Sequence, residues 1–180
     1  MYNKIAIFRG INVGGKRKIL MKDLKSLCLS LGLKEVTTYI QSGNIIFSSD
    51  QLNKDIESAI ETAIFETYGF EVPVIVFSGE YLKQAVENNP FVNEEDVSVS
   101  QLHLTFLKTT PNNLLVNNLK EIKAQEDQFA IIDTQVYIKC QGKYHQSKYS
   151  NNFFEKHLKV GATTRNWKTV LKLLDLIKLQ

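Results

Sequence analysis

Cysteine is scarce: Cys28 and Cys140 are the two thiols in 180 residues, and they form no CxxC pair. That excludes a disulfide scaffold and suits a reducing compartment, so a cytoplasmic protein with both thiols free is expected. Three prolines and nine glycines, with 43% hydrophobic and 23% charged residues, exclude collagen-like and disordered chains. No apolar run approaches the ~18 residues of a membrane span, and the opening MYNKIAIFRG reaches Arg9 after too short an apolar stretch for a secretory signal. Histidine is equally sparse. His103, His145 and His157 show neither HxxxH nor HExxH spacing, so no zinc site and no cofactor are expected. A serine nucleophile elbow is missing too, since Gln41-Ser-Gly lacks the first glycine of Gly-x-Ser-x-Gly. A chain of this length buries enough surface to fold without a metal or a crosslink, as one medium domain or two small ones.

The net charge is only +3, yet charge is unevenly placed. Residues 1–34 hold eight Lys or Arg against one Asp, and residues 139–180 hold nine against two acids. Between them, residues 50–100 hold eleven acids and two Lys. Two basic ends around an acidic middle can mark a site for an anionic partner, or simply solvated helix faces.

Hydrophobic periodicity gives the order of elements. Lys4–Phe8 is an apolar strand, followed by the glycine-rich Gly10–Lys16 and a helix carrying Leu20, Leu24, Leu27, Cys28 and Leu31 up to Gly32. Cys28 lies on that apolar stripe as a core residue. Strands over Glu35–Ile40 and Ile45–Ser48 flank the turn Gln41-Ser-Gly-Asn44. Ser49 or Asp50 is expected to cap a helix with the stripe Leu52, Ile56, Ile60 and Ile64, ended by Gly69, before a strand over Val72–Phe77. The order β-α-β-β-α-β is the split βαβ, or ferredoxin-like, arrangement. It recurs. Leu102–Phe106 alternates, Pro111 opens a helix through Leu119, strands flank Asp133-Thr-Gln, Ser150 caps a helix, and Val160–Thr164 forms a last strand. An amphipathic helix carrying Trp167, Val170, Leu171 and Leu174 ends the chain. The expected fold class is α+β: two ferredoxin-like halves, 1–78 and 100–180, joined by a linker with a short helix over 79–99, and an extra C-terminal helix in the second half.

Gly10 to Lys16 satisfies GxxxxGK after a strand, but Arg17 stands where a P-loop needs Ser or Thr on magnesium, and the helical pattern starts only near Leu20. Magnesium-dependent NTP hydrolysis is therefore not expected. Successive glycines can still orient amides toward an anion, with Arg9, Lys16, Arg17 and Lys18 alongside. An ordinary loop with a solvated basic rim is the alternative.

Three separated stretches, Phe8-Arg-Gly-Ile-Asn-Val-Gly-Gly-Lys16, Tyr39-Ile-Gln-Ser-Gly-Asn44 and Ala162-Thr-Thr-Arg-Asn-Trp167, resemble the bacterial family known as domain of unknown function 1697. Ser147-Lys148 followed by Asn151 fits the same pattern. The resemblance spans nearly the whole chain and implies a cytosolic bacterial protein with a duplicated ferredoxin-like fold. It implies no activity. It directs attention to Arg9, Gly10, Asn12, Gly14, Gly15, Gln41, Ser42, Asn44, Ser147, Lys148, Thr164, Arg165, Asn166 and Trp167. With Lys16 and Arg17, the polar members are donors and cations without an acid, which suits neither carboxylate-pair hydrolysis nor a hard metal. The candidate anion-binding set is thus Arg9, Gly10, Asn12, Gly14, Gly15, Lys16, Arg17, Gln41, Ser42, Asn44, Ser147, Lys148, Thr164, Arg165 and Asn166, with Trp167 in the core.

These residues have structural roles open to them as well: Ser42-Gly43-Asn44 as a tight turn, Thr163, Thr164 and Asn166 as helix caps. Tyr144 and Tyr149, among Lys143, His145 and Lys148, can stack on bases or pack at a strand end. His103 reads as a surface histidine. The leading functional expectation is a protein that binds a phosphorylated ligand, a nucleotide or a nucleic-acid backbone, in a basic cleft between the halves and away from any membrane. Two alternatives stand: a small phosphate- or acyl-phosphate-processing enzyme using Arg9 and Asn44, and an interaction protein without ligand.

Overall fold

The computed structural model describes residues 2–122 and 126–178. They form two compact units. One takes in the chain up to Lys83 together with the segment from Leu173 onward, and the other is Gln84–Lys172.

In the first unit, β1 (Tyr2–Phe8), α1 (Met21–Ser30), β2 (Lys34–Tyr39), β3 (Asn44–Ser49), α2 (Asn53–Tyr68) and β4 (Val74–Ser78) follow in order. The sheet runs β2-β3-β1-β4, antiparallel throughout. The second unit repeats this with β5 (Leu102–Leu107), α4 (Asn113–Lys120), β6 (Gln128–Ile132), β7 (Gln135–Lys139), α5 (Asn151–Leu158) and β8 (Ala162–Asn166), in the order β6-β7-β5-β8. Two further helices, α3 (Gly79–Glu87) and α6 (Trp167–Lys178), complete the chain. The protein is α+β, with two similar β-α-β-β-α-β halves and a final C-terminal helix.

Each sheet buries one face against its two helices. In the first unit Ala6, Phe8, Ile45, Phe47, Val74 and Val76 meet Leu24 and Cys28 of α1 and Ile56, Ile60 and Ile64 of α2. In the second, Val136, Ile138 and Cys140 meet Leu119 of α4 and Phe154 and Leu158 of α5. Full burial of each Val, Leu, Ile or Phe among them contributes about 1.5–3 kcal/mol. Burial pushes the Cys28 thiol up to about 12, so it packs as an inert hydrophobe.

The outer strands β4 and β8 share a device. An edge strand presents unpaired amides, and such groups need acceptors. Glu61 Oε1 of α2 accepts from Val74 N at 2.8 Å, and Glu57 Oε1 accepts from Val76 N at 2.8 Å. In the second unit Glu155 Oε1 of α5 accepts from Ala162 N at 3.0 Å, and Asn151 Oδ1 accepts from Thr164 Oγ1 at 2.6 Å. The spacings between partners differ by the same six residues in both pairs, but the Asn151 contact is to the Thr164 hydroxyl, so in the second unit Glu155 repeats the amide contact.

Several local expectations are corrected. α2 starts at Asn53 with Leu52 in the cap position and no side-chain cap, while Ser49 Oγ accepts from Gln51 N instead. Pro111 lies before the cap of α4 rather than at its first helical position, and Asn112 Oδ1 accepts from Leu114 N. Ser150 does cap α5. His103 is not a surface histidine: it is 7% exposed, its ring stacks on Tyr144 at 4.5 Å, and Tyr149 is buried against Phe129 and Phe153. Strand alternation alone does not say which face the helices cover.

Burial holds His103 below its ordinary value of 6.5, opposed by the Gln101 carbonyl near Nδ1. The unfolded chain therefore takes up a proton that the folded chain disfavours. Stability from this site is complete above about pH 6.5 and falls as pH drops below it. Urea midpoints measured from pH 7.5 to 5 should decline, and His103→Phe, which keeps the stacked ring without a titrating group, should flatten part of that decline. An unchanged pH profile in the variant would contradict this assignment.

Candidate functional site

The loop after β1 is built from its anchors outward. Ile11 and Ile19 are buried, whereas all six residues of 13–18 are exposed. Asn12 N donates to Arg17 O at 3.2 Å, Lys16 N donates to Val13 O at 3.1 Å, and Val13 and Lys16 form an antiparallel bridge. Gly14 and Gly15 both take positive φ, 57° and 75°, which a two-residue hairpin turn of the primed type requires. The segment is thus a miniature β-hairpin. Its glycines form the turn, the amides of Asn12 and Lys16 are bonded inside it, and its side chains carry the charge. α1 begins only at Met21, after this hairpin.

Asn12 locks the hairpin down. Its Nδ2 donates to Ile19 O and to Gln41 O, each at 2.9 Å, and its Oδ1 accepts from Ile19 N at 2.9 Å. The backbone of Asn12 is left-handed, with φ 56°, a conformation asparagine tolerates better than most residues. Through Gln41 the hairpin is joined to the β2–β3 turn. There Gly43 N donates to Ile40 O at 3.3 Å, and Phe8 N donates to Gly43 O at 3.0 Å. A Cβ at Gly43 would stand 2.4 Å from Ile11 Cδ1 and 2.9 Å from Phe8 Cβ, at φ 79°. Glycine is the residue that lets this turn close onto β1 and the hairpin base. Asn44 lies beneath, fully buried, with Nδ2 donating to Tyr39 O at 3.0 Å and Ser42 Oγ at 3.5 Å.

The structure therefore brings Arg9, Gly10, Asn12, Gly14, Gly15, Lys16, Arg17, Gln41 and Ser42 to one end of the first unit's sheet. Lys16, Arg17 and Gln41 are exposed, and Arg9 and Ser42 are half-buried. The Arg17 guanidinium lies over Gly10, whose added methyl would come 3.5 Å from Nη1. Asn44 supports the turn from within rather than lining a surface.

The second unit uses its candidate residues differently. Ser147 Oγ donates to Asp127 Oδ2 at 2.5 Å while accepting from Tyr149 N, and Asp127 Oδ1 accepts from Gln141 N. This clasp closes the loop after β7 beside Cys140, whose thiol is held above its ordinary value by burial, opposed next by the Ser147 hydrogen bond and supported last by the Asp127 charge. Lys148 Nζ sits 5.8 Å from the Phe153 ring centre. Thr164 Oγ1 is bonded to both Thr105 and Asn151. Asn166 Oδ1 accepts from Thr169 N at the start of α6, and Trp167 is buried. Arg165 is buried, with Nη1 donating to Thr164 O, and burial pulls it down to about 10, which still leaves it protonated at neutral pH. Tyr149 and Tyr144 pack against protein rings rather than standing open as base-stacking platforms. Among the described residues no group of three His, Cys, Asp or Glu is placed to hold a metal, and no helix is long and apolar enough to cross a membrane.

Residues 1–137 match the family described as protein of unknown function (DUF1697), and the chain belongs to that family. A conserved bacterial protein from Streptococcus pneumoniae, SP0830, has a similar solved structure: TM-score 0.75 at 24% identity, covering 98% of each chain. That likeness concerns the fold. No curated protein matches the chain.

The loop geometry makes a direct prediction. Asn12→Ala removes three hydrogen bonds and leaves the Ile19 amide and two carbonyls without those partners, at a cost of about 2–3 kcal/mol. Hydrogen exchange at the Ile19 amide should accelerate at least about tenfold while β5–β8 amides keep their protection. Unchanged exchange at Ile19 would show that the side chain does not hold the loop.

Proposed function

We propose that this member of the DUF1697 family binds the phosphate backbone of a nucleic acid through the basic loop end of its first unit. The observation that carries the reading is the exposed run Lys16-Arg17-Lys18 on a hairpin pinned at both ends by Ile11, Ile19 and Asn12. Arg9 and the side chains of Gln41 and Ser42 add a cation and neutral donors at the same end. The pinned backbone leaves only the Lys and Arg side chains to be ordered when they bond phosphate oxygens. A projecting hairpin also suits an extended polyanion better than a small nucleotide, which needs a concave site that covers most of it. The eight cations of residues 1–34 surround this end in sequence and would raise the encounter rate.

The enzyme alternative loses its partner residue. Orienting a water for attack on a phosphate would require Asn44 to present its amide to a ligand, and that amide is buried and bonded to Tyr39 O and Ser42 Oγ. Ser147, Thr164 and Arg165 serve contacts inside the second unit, so the proposed contact set is Arg9, Lys16, Arg17, Lys18, Gln41 and Ser42, presented on Gly10, Asn12, Gly14 and Gly15; Lys148 and Asn166 are exposed in the second unit.

Fluorescence anisotropy with a labelled 20-base-pair duplex, run from 50 to 300 mM salt, tests this. Four phosphate-contacting cations give a log–log salt slope of about −3 to −4. Lys16→Ala and Lys18→Ala should each weaken binding and flatten the slope by about 0.9. Absence of binding at 50 mM salt, or a slope untouched by Lys16→Ala, would overturn the reading.

A further inference from the structure

Ile40 is anomalous for its surroundings. It is β-branched, its φ is 50°, and it is 43% exposed. A branched Cβ in the left-handed region crowds the backbone, and glycine or asparagine would take the same conformation at lower energy. Burial offsets only part of this strain, since 43% of the residue meets solvent. A strained residue at an exposed loop is a place to seek contact with a ligand. Val13, next to the hairpin tip, is 62% exposed. The two aliphatic residues neighbour in chain the two ends of one hydrogen bond, Asn12 Nδ2 to Gln41 O, so the same staple that fixes the cations fixes them.

We infer that Val13 and Ile40 are the apolar contacts that seat the basic hairpin in a groove of double-stranded nucleic acid. The inference rests on the backbone-binding reading and names which form of nucleic acid it concerns. A narrow antiparallel hairpin with two glycines at its tip has the shape of a ribbon that enters a groove. Aliphatic side chains pack there on sugar faces and base edges, or wedge against a base step, while Lys16, Arg17 and Lys18 meet the flanking phosphates. Single strands are bound chiefly by bases stacking on aromatic rings, and residues 10–18 and 40–43 contain no aromatic side chain.

The test pairs stability with affinity. Ile40→Asn should raise Tm by about 2–4 °C by relieving the strain, yet weaken duplex binding about tenfold with the salt slope unchanged, because no phosphate contact is removed. Val13→Ser, at an exposed position, should leave Tm unchanged and weaken duplex binding similarly. A single strand of the same sequence should bind the wild type more weakly than the duplex does. Duplex binding that neither substitution alters, or equal affinity for the single strand, would overturn this inference while leaving the backbone-binding reading intact. A lower Tm in Ile40→Asn would assign Ile40 to the fold and overturn its contact role. No binding of duplex or single strand by the wild type at 50 mM salt, including the case where it binds anionic phospholipid vesicles instead, would overturn the backbone-binding reading and this inference with it, whereas binding of the single strand alone would overturn this inference only.

Discussion

The side chain of Asn12 makes one surface out of two loops. It donates to Ile19 O and Gln41 O and accepts from Ile19 N, so the hairpin base, the approach to α1 and the β2–β3 turn are fixed by a single amide. Few residues can do this. The position needs a donor and an acceptor on a short side chain, and a backbone at φ 56°. Ile11 and Ile19 bury the hairpin's roots, and Gly43 allows the turn to approach within van der Waals reach of both Ile11 and Phe8. Everything exposed on the hairpin, including its three consecutive cations, takes its position from these buried contacts.

The two units share strand order, helix order and edge chemistry, but they diverge at the loop after the first strand. In the first unit this loop is a stapled hairpin. In the second it runs from Leu107 to the cap at Asn112 and leads straight into α4. Duplication thus supplies two frameworks of equal design, and the basic hairpin after the first strand belongs to one of them. In the second unit the polar residues singled out by sequence close a loop through Ser147 and Asp127, or tie β8 to β5 and α5 through Thr164.

Much of the fold was legible in the sequence because β1 is an apolar run, β5 alternates, α2 and α6 keep a 3.6-residue periodicity, and Gly32 and Gly69 end their helices in the left-handed conformation. The doubled β-α-β-β-α-β order followed from repetition of that pattern. The buried state of His103 did not, since a strand's alternation fixes which residues share a face without saying what covers it. Asn44 and Arg165 illustrate the same limit: a polar residue in a glycine-rich or threonine-rich motif reads as a surface donor, while its tertiary partners decide whether it is one. The strain at Ile40 had no signature at all in sequence, where isoleucine before a turn looks like the end of a strand. The glutamates of α2 and α5 read as a solvated helix face, and only the position of β4 and β8 at the sheet edge turns them into acceptors for backbone amides.

The central claim is that nucleic acid meets the protein at the loop end held by Asn12. Amide chemical-shift mapping of the ¹⁵N-labelled chain during titration with a short duplex tests it most directly, because it locates the contact residue by residue. The account predicts shifts concentrated at residues 9–18 and 40–43, with the β5–β8 sheet silent. Shifts centred on the second unit, or no shifts at all at low salt, would contradict it.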